Sequence, residues 1–396
     1  MNREDFPIIN DELIYFDNGA TTLKPKCVVD KMNEYYLSHT SNIHRGDYNN
    51  SVITNNLYDE VRDIVSKFVN CDSDEVVYTS GTTMSINMIV FGYMRKHLNK
   101  GDEVILNRSE HASNILPWFK LREEIGIVIK YAKLDDNFSL SLDSIKDVVT
   151  KKTKVISLAH VTNVIGDVRD VKSIGEFCKK NNIIFCVDGA QSVPHMKVDF
   201  KNSNIDFLSF SAHKMCGPTG VGVLVGRKEL LDDMDPIMLG GGMNDSFEDD
   251  SYVLKESPIK FEAGTPAIAE VIGMGEAIKY LDNIGINNIH KHEVELKKYL
   301  VNKLKNIDNI IIYNDDTNSG IISFNIDKIF VQDLSIYLDK YNICVRAGNH
   351  CTKLLKNELG VKNTVRISLY FYNTKEEIDK LIEALSDVKN IYNVIL

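Results

Sequence analysis

IIFCVDGAQSVPH at 183–195 and FLSFSAHKMCGPTGVG at 207–222 each begin as an apolar run and end on a charged side chain, Asp188 in the first and Lys214 in the second. Both runs are continuous rather than alternating, the pattern of strands buried on both faces of a mostly parallel sheet. Ligands of open α/β sheets bind outside the carboxyl ends of the strands. The two segments therefore set an acid and an amine at adjacent strand ends. Ser211 and His213 flank the lysine, and a glycine-rich turn follows it.

Outward from this pair, further short apolar runs read as strands: EVVYT at 75–79, EVILN at 103–107, IVIKYAKL at 127–134, KVISLAHV at 154–161 and GVGVLVGR at 220–227. With the two quoted above they make seven. Helical periodicity covers 52–70 and 171–182. From about 268 the pattern changes: two long helices, IISFNI, the helix VQDLSIYLDKY, the strand and turn ICVRAGNHC, VRISLYFY, and a last helix from 374. The expected architecture is α/β, with a large domain at 21–267 built on a seven-stranded mostly parallel sheet. A smaller α+β domain is expected from 1–20 and 268–396. Clusters such as NDDTNS at 314–319 mark turns.

Composition narrows the function. A chain of 396 residues exceeds one ordinary core. Its 43% hydrophobic and 26% charged residues are those of a globular protein. A net charge of −10 argues against nucleic acid and anionic membranes as partners. No run of about 18 apolar residues is present, and the N-terminus carries acids without an apolar core, so neither a spanning helix nor a signal peptide is expected. Seven cysteines without CxxC spacing argue against a disulfide framework and a structural metal site, and for the reducing cytoplasm.

The strand-end residues carry chemistry. A carboxylate at Asp188 could pair with the ring nitrogen of pyridoxal 5'-phosphate (PLP), and Lys214 could supply the amine that holds its aldehyde. Gln191 could donate to the ring oxygen. Alone, a DG after a strand is as readily a turn cap, and a strand-end lysine a surface group. TSGTTMSIN at 79–87 opens a helix, where backbone N–H groups with Thr82 and Thr83 make an anion site, or an ordinary N-cap. It lacks the GK[ST] ending of a P-loop. His111 in SEHASNILPW follows a strand and could stack on a ring and move protons. Asn163 in HVTNVIG could bind ring or substrate. Cys351 lies beside Arg346 and His350, positive groups that would favour its thiolate. Arg366 offers a planar fork for a substrate carboxylate, or a structural ion pair.

Taken together, YFDNGATTLKP, NIHRG, TSGTTMSIN, SEHASNILPW, HVTNVIG, VDGAQSVPH, FSAHKMCGPTGVG, FEAGTP and RAGNHC…VRISLYFYNT resemble the cysteine desulfurases of the class V aminotransferase fold, in their Suf-type (group II) branch. The resemblance covers roughly residues 13–385. It implies the PLP-dependent transferase fold type I and conversion of L-cysteine to L-alanine, with the sulfur passing to an enzyme persulfide. It implies that Lys214 carries PLP and later moves the substrate's α-proton. Asp188 and Gln191 would hold the ring and His111 would stack on it. Thr82, Thr83, Ser211 and His213 would hold the phosphate. Asn163 and Arg366 would bind substrate, with Arg346 beside the loop, and Cys351 would take the sulfur. Thr265 in FEAGTP would reach the neighbouring subunit's phosphate, implying a homodimer. A sulfur-acceptor or Fe–S scaffold protein is implied as partner.

Two positions depart from that branch. Asn349 stands where a second histidine is usual, and Gln332 where relatives that feed a zinc-containing scaffold carry a histidine. Both bear on the acceptor. The short run from RAGNHC to VRISL fits a short-loop enzyme activated by a partner. A selenocysteine lyase or related C–S lyase would share every cofactor residue. A non-catalytic binding protein of this fold would be expected to have lost Lys214 or Cys351. A nucleotide-binding Rossmann protein would need a GxGxxG that is not there.

Overall fold

The computed structural model describes residues 3–391 except Asp11, Arg45 and Asn314, together with Val394. Arg45 of NIHRG and Asn314 of NDDTNS thus lie outside the described residues. The chain enters through a two-residue strand, β1 (Ile14–Tyr15), and then builds a seven-stranded sheet. Its strands are β2 (Val76–Thr79), β3 (Glu103–Asn107), β4 (Val128–Ala132), β5 (Thr153–Ala159), β6 (Ile184–Asp188), β7 (Phe207–Ser211) and β8 (Gly222–Gly226). They are ordered β2-β8-β7-β6-β5-β3-β4. β8 runs antiparallel to both neighbours and every other pairing is parallel. All seven strands read from the sequence are present, within two to three residues of their expected ends.

Three devices bring this sheet's strand ends together. β6 and β7 are neighbours in register, with Asp188 opposite Ser209, so Asp188 and the turn Ala212–Lys214 leave the sheet side by side. The helix Thr82–Met88 starts beside them because Gly81 has φ +142° and Gly222 packs against it. A Cβ on Gly222 would collide with the Gly81 backbone, and one on Gly81 would sit 3.2 Å from Ser211 Oγ. Third, the turn carrying His111 is anchored by Trp118, fully buried in the helix Leu116–Ile125. Its indole N–H donates to Asn114 Oδ1 at 3.4 Å. Burying an aromatic of this size contributes on the order of 4 kcal/mol before ordering costs.

After a hairpin, β9 (Asn244–Phe247) and β10 (Tyr252–Leu254), the chain forms a four-stranded sheet: β11 (Ile310–Tyr313), β12 (Ile321–Ile326), β14 (Arg346–Gly348) and β15 (Thr364–Ser368), ordered β11-β12-β15-β14. β13 (Ile343–Cys344) pairs instead with β1, in parallel. Ile14 and Phe16 join the core of this smaller unit, with Leu300, Phe324, Ile367 and Leu381. The helix Ile268–Ile284, which the sequence pattern places with the second domain, adds Ile268, Val271, Met274 and Leu281 to the core beneath the large sheet. Gly275 allows that close approach, since a Cβ there would lie 2.7 Å from Val61. The sequence reading missed β11, the β9–β10 hairpin and several short helices. β11 is a four-residue edge strand followed by an Asn- and Asp-rich turn, too short to register as periodic.

Among the described residues no helix is long and apolar enough to cross a membrane. Among the same residues no group of three or more His, Cys, Asp or Glu is placed to hold a metal ion.

Candidate active site

The ends of the large sheet and the RAGNHC loop of the smaller unit close on one cavity of about 220 Å3. Twelve of the thirteen residues singled out from the sequence line it: Thr82, Thr83, His111, Asn163, Asp188, Gln191, Ser211, His213, Lys214, Arg346, Cys351 and Arg366. Thr265 does not. It lies in a separate cavity of about 140 Å3, with its hydroxyl 3.3 Å from Asn42 Nδ2.

Asp188 is buried and accepts the Ala190 N–H at 2.9 Å. Burial raises its carboxyl to about 6, and the Ala190 bond and Lys214 hold it from rising further. Burial likewise lowers the Lys214 amine to about 8, opposed by Asp188 and assisted by Arg366 and Arg346. At pH 7 to 8 Asp188 is therefore ionised, and Lys214 has a neutral fraction far above that of a solvated lysine. The backbone before Lys214 is tightly held. The His213 carbonyl accepts the Thr22 N–H at 3.0 Å, the Thr21 and Thr22 hydroxyls at 3.0 and 3.1 Å, and Lys24 Nζ at 3.0 Å.

At one end, the Thr82 N–H donates to Ser211 Oγ at 2.8 Å and the two hydroxyls lie 2.7 Å apart. Thr83 and Ser113 hydroxyls pair at 2.8 Å. A helix start, four hydroxyls and the His213 imidazole suit this end of the cavity to an anion. His213 and His111 are both lowered to about 4, chiefly by burial and next by Lys214, so both are neutral at physiological pH. His111 Nδ1 accepts the Ser113 N–H at 3.1 Å, which places the ring proton on Nε2.

Under the His111 turn lies a network the sequence did not disclose. Glu110 and Arg169 form an ion pair whose side chains are both 0% exposed. Glu110 also accepts from Asn114 Nδ2 at 2.9 Å and from the Ala159 N–H at 2.7 Å. The pair thus ties the His111 turn to the end of β5.

The opposite wall is cationic. Arg366, 2% exposed, donates to the Asn163 carbonyl at 3.0 Å and to Asp17 Oδ1 at 2.9 Å. Arg346 approaches the other Asp17 oxygen at 3.5 Å. Two guanidiniums share one carboxylate, which leaves a net positive charge for an incoming carboxylate. The close packing of Gly19, whose Cβ would lie 3.1 Å from Arg366 Cζ, fixes the guanidinium plane.

Cys351 is exposed at the cavity rim, with φ +57° next to His350 at φ +54°. The loop is clamped from three directions. Asn349 Oδ1 accepts the Cys351 N–H at 2.9 Å, the Cys351 carbonyl accepts the Ala112 N–H at 2.8 Å, and Asn163 Nδ2 donates to the His350 carbonyl at 2.9 Å. Asn349, in place of the expected histidine, thus closes an Asx turn under the cysteine. Asn163 spends its amide on this loop, with Oδ1 accepting from Thr352 Oγ1 at 3.1 Å. One expectation is corrected. His350 is not a positive neighbour of Cys351: burial, with Arg366 and Lys356, lowers it to about 2, and its Nε2 turns to Thr364.

The residue set fits PLP. Hydroxyls and N–H groups gather at one end for a phosphate, an ionised carboxylate and a partly neutral lysine stand in the middle, and Gln191 donates one amide hydrogen to the Gly19 carbonyl at 2.7 Å while its buried Oε1 has no partner. Ser113 and Asp17 also shape the site, and the sequence pattern gives neither a role. Ser113 follows His111 in an N-cap pattern and could have been suspected. Nothing local ties Asp17 to an arginine 349 residues away.

The family model for aminotransferase class-V matches residues 14–381. A probable cysteine desulfurase of Halalkalibacterium halodurans is 38% identical over 393 residues, spanning 98% of this chain and 97% of that protein. One from Staphylococcus epidermidis is 40% identical over 398 residues, spanning 98% and 96%. Among solved structures, the apo cysteine desulfurase of Thermococcus onnurineus NA1 superposes with a TM-score of 0.94 at 36% identity, over 98% of this chain and 96% of that one. The cysteine desulfurase CsdA of Escherichia coli superposes at 0.93 with 32% identity, over 100% and 98%. Sheet order, cavity and comparisons agree: the chain belongs to the class-V aminotransferase family and, within it, falls among the cysteine desulfurases.

Proposed function

We propose that the chain is a PLP-dependent cysteine desulfurase of the Suf type, which takes sulfur from L-cysteine onto Cys351 and releases L-alanine. The observation that carries this reading is the meeting of Lys214, Asp188 and Cys351 on one cavity, the first two from adjacent strand ends and the third from the smaller unit's loop. Bound PLP supplies an electron sink for bonds at the substrate's α-carbon. Asp188 would pair with its ring nitrogen and Gln191 with its ring oxygen. His111 would lie against its ring. Thr82, Thr83, Ser211 and His213 would hold its phosphate. Arg366 and Arg346 receive the substrate carboxylate, and Asn163 orients the cysteine loop beside it. Lys214 would hold the cofactor and move the substrate's α-proton. The Cys351 thiolate attacks the substrate's sulfur. The carbon–sulfur bond breaks, the sulfur stays on Cys351 as a persulfide, and the carbon takes a proton to become alanine.

The functional unit in this reading is a homodimer, in which Thr265 completes the partner's phosphate site. Its support is the position of Thr265 outside its own cavity and the exposed Phe247, Tyr252 and Val253 on the nearby β9–β10 hairpin. A protein sulfur acceptor, such as an Fe–S scaffold, meets Cys351 at the rim. The enzyme works in the cytoplasm, where seven unpaired thiols stay reduced. The test is the visible spectrum with two variants. The purified protein should be yellow, bleach with borohydride and lose the band in Lys214→Ala. Cys351→Ala should keep the band and release no sulfur. A colourless protein that PLP cannot reconstitute contradicts the reading.

A further inference from the structure

Behind Cys351 lies a buried amine that the reaction does not use. Lys356, on the helix Lys353–Glu358, is 2% exposed. Its Nζ donates to Thr364 Oγ1 at 2.7 Å. The same Thr364 holds His350: Nε2 lies 3.0 Å from both the Thr364 carbonyl and its hydroxyl. A carbonyl can only accept, so Nε2 carries the ring proton and the buried Nδ1 is left without a partner. His350 in turn holds its carbonyl toward Asn163, and it is joined directly to Cys351 in two successive left-handed residues. L side chains rarely keep that conformation unless their surroundings hold it.

We propose that Lys356 is a positioning residue for Cys351, acting through Thr364 and His350: the neutral amine leaves His350 seated on Thr364, and the ammonium unseats it. This rests on Cys351 being the sulfur-accepting residue. The physical reason is competition for one residue's oxygens. An ammonium has three donors and needs acceptors, and the acceptor already at hand is the Thr364 hydroxyl that His350 also faces. Among the described residues no carboxylate pairs with it. The groups facing Lys356 are the charged Arg366 from β15 and the neutral imidazole of His350 from the loop. Glu358 of its own helix pairs with Arg108 at 3.2 Å, and Asp17 is shared by Arg346 and Arg366. Burial and Arg366 accordingly lower the amine to about 7, so both forms are populated near neutrality.

The test uses holoenzyme and single-turnover persulfide formation at saturating L-cysteine, from pH 6 to 8, for the wild type and for Lys356→Met and Lys356→Arg. Taking the ratio to wild type cancels the titration of Lys214, which both enzymes share. With a midpoint at about 7, the neutral fraction changes about tenfold over this range. The Lys356→Met to wild-type ratio should therefore rise up to about tenfold from pH 8 to 6. Lys356→Arg, always charged, should be slow at every pH. A second readout is magnetic resonance of isotopically labelled histidine in the holoenzyme. His350 should stay neutral, with signals that shift at a midpoint near 7 in the wild type and not in Lys356→Met. If Lys356→Met does not fold, Thr364→Val, which removes the shared hydroxyl, should abolish the same His350 transition. A pH-independent ratio together with an unmoved His350 signal overturns the proposal. Cys351→Ala run alongside separates the two failures: wild-type alanine formation in that variant sinks the desulfurase reading, whereas an inactive Cys351→Ala with a flat Lys356 ratio sinks only the role of Lys356.

Discussion

Replacing Glu110 by glutamine tests how the floor of the site is held. Glu110 and Arg169 are both 0% exposed at the side chain, so neither charge has water to fall back on. One carboxylate oxygen serves Asn114 Nδ2 and the Ala159 N–H, and the other serves Arg169 Nη1. Glutamine has a single acceptor oxygen. If it keeps the Asn114 and Ala159 bonds, its NH2 group faces the guanidinium, donor against donor. Arg169 then keeps its neutral partners, the Ala159 carbonyl, Asn107 Oδ1 and Ser109 Oγ, and Asp167, whose carboxylate lies 3.5 Å from Nε, is its remaining anionic neighbour. Breaking one side of a buried pair costs about 3–5 kcal/mol. For folding units of this size each kcal/mol lowers the melting temperature by about 2–4 °C, so a fall of about 6–20 °C is expected. The assay is thermal unfolding at saturating PLP, with urea unfolding to check that the slope is unchanged. Because Glu110 precedes His111, Glu110→Gln should also lose PLP faster on dialysis. The double variant Glu110→Leu/Arg169→Met, which removes both charges, should recover part of the loss. A melting temperature for Glu110→Gln within about 2 °C of wild type, well under the expected fall, would refute the reasoning.

Other expectations follow from the same geometry. Recapture of PLP by the apo-protein requires neutral Lys214; with the amine lowered from 10.5 to about 8, its rate should rise with pH to a midpoint near 8, and a midpoint near 10 would show the lysine to be solvated. His111 and His213, lowered to about 4, should add no limb to the activity profile between about pH 6 and 9, which steady-state rates on each histidine variant can check. Arg366→Lys keeps the charge but cannot bridge the Asn163 carbonyl and Asp17 as the fork does. Losing one or two charge-assisted bonds of about 1.5–3 kcal/mol should lower kcat/KM for L-cysteine by at least about tenfold. Asn163→Ala removes two bonds to the Cys351 loop, each of about 0.5–1.5 kcal/mol. Single-turnover sulfur transfer should slow about tenfold while the visible band is unchanged; a lost band would instead assign Asn163 to the cofactor.

The large sheet was legible because its strands are buried on both faces and so read as unbroken apolar runs, each closed by a turn or a polar residue. The cavity was legible to the extent that strand ends announce themselves: Asp188, His111, Asn163 and Lys214 all stand where an apolar run stops. What the sequence could not show is which partner each side chain keeps. The sequence pattern offers Asn163 as a ligand of ring or substrate, and the fold spends its amide on the cysteine loop. The sequence pattern reads His350 as a charge; it is neutral because burial, with Arg366 and Lys356 beside it, disfavours the imidazolium. The Glu110–Arg169 pair and the Asp17 bridge join residues 59 and 349 positions apart, and no local pattern encodes such distances. β11 and the β9–β10 hairpin escaped for a different reason. They are edge elements of three or four residues, partly exposed, whose formation depends on neighbours rather than on their own periodicity.

The most direct test of sulfur transfer to Cys351 is the mass of the peptide that carries it. Holoenzyme is mixed with one equivalent of L-cysteine in the absence of reductant and acceptor, quenched and digested. The Cys351 peptide should be heavier by one sulfur atom, in proportion to the L-alanine formed, and the extra mass should leave on addition of thiol. Alanine formed with the Cys351 peptide unmodified, or the sulfur found on another cysteine, would contradict it.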